Sequence, residues 1–347
     1  MRKHTGVSMT DWQCNTGVNR NLLGKTLWTL AWLGAALTQL LSAQTSDPGK
    51  GTPPPWAYPV DAPGLKSPKD DGSLRRVPDS EKTFTLTQVR DGFLSPDWHP
   101  QDHPPMPEIV AHGRKPDVLA CGFCHRAEGT GGPENASVAG LPVAYILQQM
   151  ADFKSGARKT SVPERGSAKS MIALSKAVTA PEVESAAAYF SSLKPKPVIQ
   201  VTETNRVPIT RAHGWHLVDL KTGQSEPIGE RIIEVPEDLE QFISRDSRSR
   251  FIAYVPIGSV QKGRALAETG GPGRTVQCAI CHGPNLKGLA TIPGIAGRSP
   301  TYLVRQLYDF KHGVRAGINS ALMKPTVEKL SLEEMIALAV YAASLPP

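Results

Sequence analysis

Two cysteine-rich motifs carry the clearest chemistry in this sequence. The first reads Cys-Gly-Phe-Cys-His over residues 121–125, and the second reads Cys-Ala-Ile-Cys-His over residues 278–282. Two thiols three positions apart can each form a thioether with a haem vinyl group, while the adjacent histidine nitrogen binds the iron. The sequence therefore predicts two covalently attached haem c groups, held by Cys121, Cys124, His125, Cys278, Cys281 and His282.

Zinc ribbons and thioredoxin-like redox pairs also use two cysteines three positions apart. A zinc ribbon brings its two pairs within about 20 residues of each other, whereas these pairs start at residues 121 and 278. A thioredoxin-like pair does not call for a histidine after the second cysteine, and here a histidine follows both times. Both alternatives are therefore weaker than haem attachment.

A methionine in each half could fill the second axial position of the iron. Met171 and Met323 each precede the last predicted helix of their half, in a segment predicted to be a loop that folds over the far face of the ring. A soft thioether opposite a histidine favours Fe(II) and raises the reduction potential. We therefore predict two six-coordinate iron centres, formed by His125 with Met171 and by His282 with Met323.

The motifs belong to a longer internal repeat. After each motif the chain matches at an offset of 157, and beyond a loop that differs by five residues the match continues at an offset of 152. Repetition over this length indicates one domain duplicated. The matched pairs include Tyr145 with Tyr302, Asp152 with Asp309, Lys154 with Lys311, Arg158 with Arg315, and Thr179 with Ser331.

The recurring tyrosines and arginines allow two interpretations. Their hydroxyl and guanidinium groups could hydrogen-bond a haem propionate, or the duplicated helix could simply carry a packed tyrosine and a solvated arginine. The recurring Asp and Lys residues are expected to be surface charges, and His312 is expected to be solvated. Met150 and Met335 are expected to be core residues.

Local signals predict helices in each half. A helix over residues 142–154 should end at Gly156, since glycine caps helix C-termini well. A later helix should begin at Thr179, where Glu182 completes a capping box. A short helix near residues 108–112 precedes the first motif. We predict a mainly α fold with two tandem haem domains over residues 107–197 and 258–347.

The remaining chain is irregular or strand-like. Residues 44–106 form a Pro-rich N-terminal extension, expected to be extended and poorly ordered, with one regular stretch near residues 83–93. Prolines near His99, His103 and Met106 disfavour an iron-binding helix there, so we expect a wrap over the first domain. Residues 198–257 show alternating apolar segments at 216–220, 231–235 and 251–255. This connector is expected to pack between the haem domains, with a docking role as the alternative.

The N-terminus has the pattern of a secretory signal. Basic residues precede an apolar run over residues 27–37, and Ala43 provides a small residue for cleavage, so the mature protein should begin near Gln44 in the periplasm. An uncleaved anchor is the alternative, and membrane association is otherwise expected only through a partner. The fifth cysteine, Cys14, falls in the removed part and is interpreted as incidental.

The net charge gives little support for nucleic-acid binding. The full chain carries +7, of which residues 1–43 contribute four Lys/Arg and one Asp. Up to four haem propionates would bring the exported protein close to neutrality.

In these features the chain resembles the tandem dihaem c-type cytochromes of the cytochrome c4 type. The resemblance rests on the two motifs, on the segments Gly-Leu-Pro-x-x-Tyr and Ala-Gly-Arg-x-x-x-Tyr that lead into Gln-x-x-x-Phe-Lys-x-Gly-x-Arg, and on the methionine before a capped final helix. It covers residues 107–195 and 258–347. It implies that each half is an all-helical cytochrome c fold, and that the two pack as a close two-fold pair.

The resemblance also implies a loop whose proline carbonyl orients the iron-binding histidine. Residues 292–297 match that loop, whereas residues 135–140 lack the proline. The two haems are therefore expected to differ somewhat. The long N-terminal extension and the strand-bearing connector depart from the family pattern, which puts the close two-fold packing in question.

The implied function is electron transfer between a dehydrogenase or quinol-oxidising complex and a terminal acceptor such as an oxidase. Filled axial positions suit a carrier rather than an enzyme. Two alternatives remain: a cytochrome subunit of a dehydrogenase complex, and a dihaem peroxidase-like enzyme with one displaceable axial ligand.

Overall fold

The computed structural model describes residues 51–64 and 68–347. The predicted signal, its apolar run and Cys14 lie outside the described residues. Within these ranges, no helix combines the length and apolar character required to cross a membrane. The chain is mainly helical, with a small sheet region between two helical halves.

Among the described residues, the extension and the first half contribute six α-helices. The capping box at Thr179 and Glu182 is present, and Gly156 ends its helix with a φ of 77°, so both local predictions are correct. The helices are α1 (Leu86–Arg90), α2 (Glu108–Ala111), α3 (Cys121–His125), α4 (Val143–Ser155), α5 (Gly166–Ala177) and α6 (Ala180–Ser192).

The connector contains seven short strands and one helix. The three predicted segments form strands, although the middle one begins at Ile233 rather than at residue 231. In the central sheet the strand over residues 251–255 lies between the strand over residues 199–203, which is parallel to it, and the strand over residues 233–236, which is antiparallel. The elements are β1 (Ile199–Glu203), β2 (Arg206–Pro208), β3 (Thr210–His213), β4 (His216–Asp219), β5 (Ser225–Pro227), β6 (Ile233–Pro236), α7 (Leu239–Ile243) and β7 (Phe251–Val255).

The second half repeats the helical order of the first, with a longer helix before its motif. Its last helix also begins with a capping box, formed by Ser331 and Glu334. The helices are α8 (Ser259–Thr269), α9 (Ala279–His282), α10 (Pro300–Lys311), α11 (Ser320–Val327) and α12 (Leu332–Ser344).

Both methionine-bearing segments are helices, so the prediction of loops there was wrong. Met171 lies in α5 and Met323 in α11. The sequence of α5 contains three alanines, two lysines, a methionine and a leucine, which are good helix formers. Pro325 lies within α11, in a helix of eight residues.

The described parts of the extension, residues 51–64 and 68–106, pack against the rest of the molecule, contrary to the expectation of poorly ordered chain. Trp56, Ala57 and Tyr58 are buried in the largest apolar core, which also contains side chains of the connector sheet and of the second half. Trp98 is 2% exposed, and its indole N–H donates to the Ser244 carbonyl of the connector. Burial of these apolar side chains stabilises the extension, which has little regular secondary structure of its own.

The two helical halves contact each other directly. Arg158 and Arg315 form an antiparallel backbone bridge, flanked by a hydrogen bond from the Lys159 N–H to the Val314 carbonyl and one from the Ala316 N–H to the Ala157 carbonyl, both 2.8 Å. The connector contacts both halves but does not separate them, because backbone groups of the two halves pair with each other. The extension and connector therefore do not disrupt close packing of the halves.

Candidate haem-binding sites

Each motif histidine is held in one orientation by a backbone carbonyl. The Nδ1–H of His125 donates to the Ala136 carbonyl and that of His282 to the Pro293 carbonyl, each at 2.8 Å. Burial lowers the pKa of both imidazoles, which keeps them neutral and leaves Nε2 available to a metal. The first half lacks the proline but supplies the same carbonyl from Ala136, so the expected difference between the sites does not arise at this contact.

The motif cysteines lie beside these histidines and form no disulfide bond with one another. Burial raises the pKa of Cys121 to about 12 and that of Cys278 to about 11, so both are protonated at neutral pH. The cysteines are not arranged as a zinc site, because no group of three or more His, Cys, Asp or Glu able to hold a metal ion occurs within residues 51–64 and 68–347. The arrangement suits thioether formation better than direct metal binding by sulfur.

One cavity of about 390 Å³ connects both candidate sites. All four motif cysteines, both motif histidines and both predicted methionines line it. Its walls are mainly apolar and arginines lie where the halves meet, which fits a flat apolar ring that carries two carboxylates. The residues present therefore fit two haem groups. The apolar wall residues include Ile146, Leu174, Phe190, Leu303, Leu307 and Leu338.

The two predicted methionines line the candidate sites, and each lies on a helix rather than in a loop. Met171 and Met323 are half-buried and line the cavity with the histidine of their own half. The Thr326 hydroxyl lies 3.7 Å from the Met323 sulfur. Met150 also lines the cavity and packs against the first-half core, while Met335 is buried in the larger core. Iron ligation by Met171 and Met323 stays a prediction.

Each recurring arginine donates hydrogen bonds to side chains of the other half. Arg158 of the first half donates to the Tyr302 hydroxyl and to Gln306 of the second half, each at 3.1 Å. Arg315 of the second half donates to Tyr145 and Gln149 of the first half, each at 2.9 Å. Both arginines are buried, so the interpretation as solvated arginines was wrong.

The recurring aspartates are also buried, not surface charges as expected. Asp152 accepts a hydrogen bond from the Gln148 amide at 2.8 Å, and Asp309 accepts one from the Tyr58 hydroxyl at 2.8 Å. Nearby, the His312 ring stacks on the Tyr308 ring, with the two ring centroids 4.0 Å apart. His312 is half-buried rather than solvated. Lys154 is exposed, as expected for a surface charge.

The extension and connector cover the first motif. The Ala120 N–H donates to the Gly92 carbonyl at 2.9 Å. The Arg245 guanidinium lies 3.6 Å from the Phe123 ring centroid and donates to the Phe123 carbonyl at 2.8 Å. No pattern in the sequence singled out Gly92 or Arg245, because their contacts are 28 and 122 residues away along the chain.

Trp215 was also missed by sequence reasoning. It lies in the turn between β3 and β4, lines the cavity, and contacts Gly166 at the start of α5. A Cβ on Gly166 would lie 2.1 Å from the indole, so only glycine permits this approach. The buried Arg165 guanidinium donates to the Trp215 carbonyl at 3.0 Å. The connector thus completes the wall of the first site.

The histidines of the extension take part in packing. The His99 Nε2 lies 3.2 Å from a buried Asp246 carboxylate oxygen, and the His103 Nε2 lies 3.1 Å from Asp97. Neither histidine lines the cavity, and Met106 packs against the first-half core. These contacts agree with the expectation of a wrap over the first domain.

No protein-family model matches the chain. The curated relatives include a "Thiosulfate dehydrogenase electron acceptor" of Thiomonas intermedia, 26% identical over 236 residues that make up 67% of this chain and 81% of the relative. Cytochrome c4 of Azotobacter vinelandii is 26% identical over 66% of this chain and 85% of its own length. Cytochrome c-554(548) of Halomonas halodenitrificans is 41% identical over 19% of this chain and 82% of its own length.

A solved structure, the thiosulfate dehydrogenase TsdBA of Marichromatium purpuratum, is 27% identical to this chain with a TM-score of 0.47. The match covers 69% of this chain, and this chain spans 39% of that one.

Proposed function

We propose a specific role for this chain, which is similar to relatives named cytochrome c4 and transfers electrons. The role is that of a periplasmic carrier that accepts electrons from a dehydrogenase or quinol-oxidising complex and delivers them to a terminal acceptor. The signal-like N-terminus supports export. A relative named as the electron acceptor of a thiosulfate dehydrogenase supports a dehydrogenase as the donor.

One observation carries the proposal: in each half a neutral histidine and a methionine line the same cavity. Haem c supplies reversible one-electron chemistry at its iron. Four cysteines, Cys121 and Cys124 in the first half and Cys278 and Cys281 in the second, would hold the two rings by thioether bonds. The His125 and His282 side chains would bind iron through Nε2, because the carbonyls of Ala136 and Pro293 fix the proton on Nδ1.

The methionines would complete each centre and restrict it to electron transfer. Met171 and Met323 would occupy the sixth positions, so peroxide or oxygen could bind only if a methionine left. Apolar walls exclude water and favour the less charged Fe(II) state. With both positions filled, neither iron would bind a substrate, and the protein would transfer electrons without enzymatic turnover.

The test uses the purified protein with both haems attached. The oxidised protein should show the weak long-wavelength sulfur-to-iron band, and Met171→Ala and Met323→Ala should each remove about half of it, because each thioether would serve one of two irons. Met106→Ala is the control and should leave the band unchanged, because Met106 does not line the cavity. Rapid carbon monoxide binding at one haem, together with enzymatic peroxide reduction, would favour the peroxidase-like alternative.

A second candidate is a permanent subunit of a dehydrogenase complex. It is favoured by a relative from Chlorobaculum tepidum named "Cytochrome subunit of sulfide dehydrogenase", which is 33% identical over 24% of this chain. Stable copurification with a dehydrogenase at high salt would identify a subunit, whereas a free carrier would separate.

A further inference from the structure

The cavity opens to solvent in the second half through an apolar mouth. Val276 and Leu322 line the cavity and are nevertheless 43% and 61% exposed, so they lie at its edge. Ile280, between the two motif cysteines, is 61% exposed and does not line the cavity. A ring bound inside would therefore leave Ile280 on the surface. A hydrogen bond from the Thr275 hydroxyl to the Thr326 carbonyl joins the segments that carry Val276 and Leu322.

The repeat provides a like-for-like comparison with the first half. Leu119 and Phe123 are the counterparts of Val276 and Ile280, and both are half-buried. A Cβ on Gly92 would meet the Leu119 side chain, and the Arg245 guanidinium covers the Phe123 ring. Large exposed apolar side chains therefore surround one motif and not the other. Grouped exposed apolar residues mark interaction sites more often than isolated ones do.

The rim of the second-half mouth is basic. Residues 272–289 and 318–329 carry four cationic side chains and one acidic side chain, Glu328. Lys324 and Lys329 are exposed, and the Lys329 ammonium reaches back to the Gly273 carbonyl, which places it over the segment before the motif. The four cations are Arg274, which pairs with Glu334, and Lys287, Lys324 and Lys329.

We propose that this mouth, formed by Val276, Ile280 and Leu322 and rimmed by Lys324 and Lys329, is the docking surface for a redox protein. The inference rests on the proposed function and adds its partner class: a protein whose own redox centre opens in an apolar patch with an acidic rim. A second copy of this chain would bring one basic rim against another, which Coulomb repulsion disfavours. Because the first site is covered, electrons enter and leave the molecule through the second half.

The transfer at this surface balances as a single-electron step. The partner's reduced cofactor would lose one electron, and the haem that Cys278, Cys281 and His282 would hold in the second half would accept it. No bond forms or breaks and no proton is required. The first site then exchanges electrons only with the second, across the direct contact between the halves.

The experiment uses the holoprotein and purified flavodoxin, an acidic protein with an exposed flavin edge, as the probe. The double variant Lys324→Glu/Lys329→Glu should lower the rate constant for reduction by flavodoxin hydroquinone about tenfold at low ionic strength, and the difference should shrink at high salt. Zero-length carbodiimide cross-linking followed by mass spectrometry should join Lys324 or Lys329 to flavodoxin carboxylates.

The matched control is Lys169→Glu/Lys176→Glu, which reverses two exposed charges on α5, the corresponding helix of the first half. It should keep the rate and the cross-links. Ile280→Ser tests the apolar part, and should slow reduction even at high salt, where Val143→Ser on the first half should not.

Equal rates in both double variants, or cross-links confined to the first half, would overturn the docking surface while the haems still cycled. A holoprotein dimer cross-linked through Lys324 or Lys329 would overturn the partner class. Failure of the proposed function would look different, since neither haem would then be reversibly reduced in an electrochemical titration without any protein partner.

Discussion

The two halves are alike inside and different outside. Each places a motif histidine 2.8 Å from a carbonyl, begins its last helix with a capping box, and buries an arginine in the other half. Around the first motif, however, the extension and connector supply Gly92, Arg245 and Trp215, whereas the second motif presents Ile280 to solvent. The duplicated sequence therefore builds the interior of each site, and the unduplicated segments decide how much of each site is accessible.

The largest effect should come from the interface between the halves, to which each half contributes one buried arginine. Arg158→Met and Arg315→Met each remove a buried guanidinium that donates three hydrogen bonds to side chains at the interface. We expect each to lower the free energy of unfolding by about 4 kcal/mol, because the buried acceptors lose their donor. Denaturant titration of the holoprotein measures this.

The exposed Lys154→Met on α4 is the control for these variants and should change the free energy of unfolding by less than about 0.5 kcal/mol. A large difference between the two arginine variants would mean that the interface is less symmetric than its hydrogen bonds indicate.

The second largest effect should be on the pH dependence of the free energy of unfolding. Burial lowers the pKa of His216, in the connector beside the first site, to about 4. Between about pH 6.5 and pH 4 the unfolded chain then binds a proton that the folded chain does not, so stability falls as the pH is lowered through this window, by up to about 3 kcal/mol. His216→Leu should flatten this limb in urea titrations at several pH values.

The solvent-exposed His112→Leu serves as the matched variant and should keep the acid limb. An unchanged slope in His216→Leu would assign the acid sensitivity to other groups.

The smallest of the three effects concerns Trp215. Trp215→Ala removes the indole that packs on the start of the Met171 helix, and should cost about 2 kcal/mol because this side chain is only half-buried. It should also shift the midpoint potential of one haem and leave the other unchanged, which spectroelectrochemical titration resolves.

Ile318 stands five positions before Met323, as Gly166 does before Met171, and is 76% exposed. Ile318→Ala should therefore leave both potentials unchanged. Equal shifts of both haems in Trp215→Ala would show that the connector is not specific to the first half.

The features that could be predicted from sequence depend on residues close together in the chain. Gly156 and the Thr179–Glu182 box act within one helical turn, and each motif contains its own cysteines and histidine. The repeat also marked Arg158 and Arg315, but a repeat cannot tell whether a side chain bonds within its own half or in the other.

Burial of charged groups was the main failure, because it depends on distant partners. Asp309 was expected on the surface, yet its hydrogen-bond donor Tyr58 lies 251 positions earlier, in the extension. The helix around Met171 was missed for another reason. We predicted a loop because Met171 was expected to fold over the ring. The local helix propensity of α5 already favoured a helix.

Arg158 and Arg315 each donate hydrogen bonds to side chains of the other half, and this reciprocity has a further consequence. In a homodimer with two-fold symmetry, residue i of one subunit contacts residue j of the other, and j contacts i in return. Here the same reciprocity joins Arg158 to Tyr302 and Arg315 to Tyr145 within a single chain. A single-haem ancestor could have made this contact with its own copy, so gene fusion would have preserved an interface that already existed.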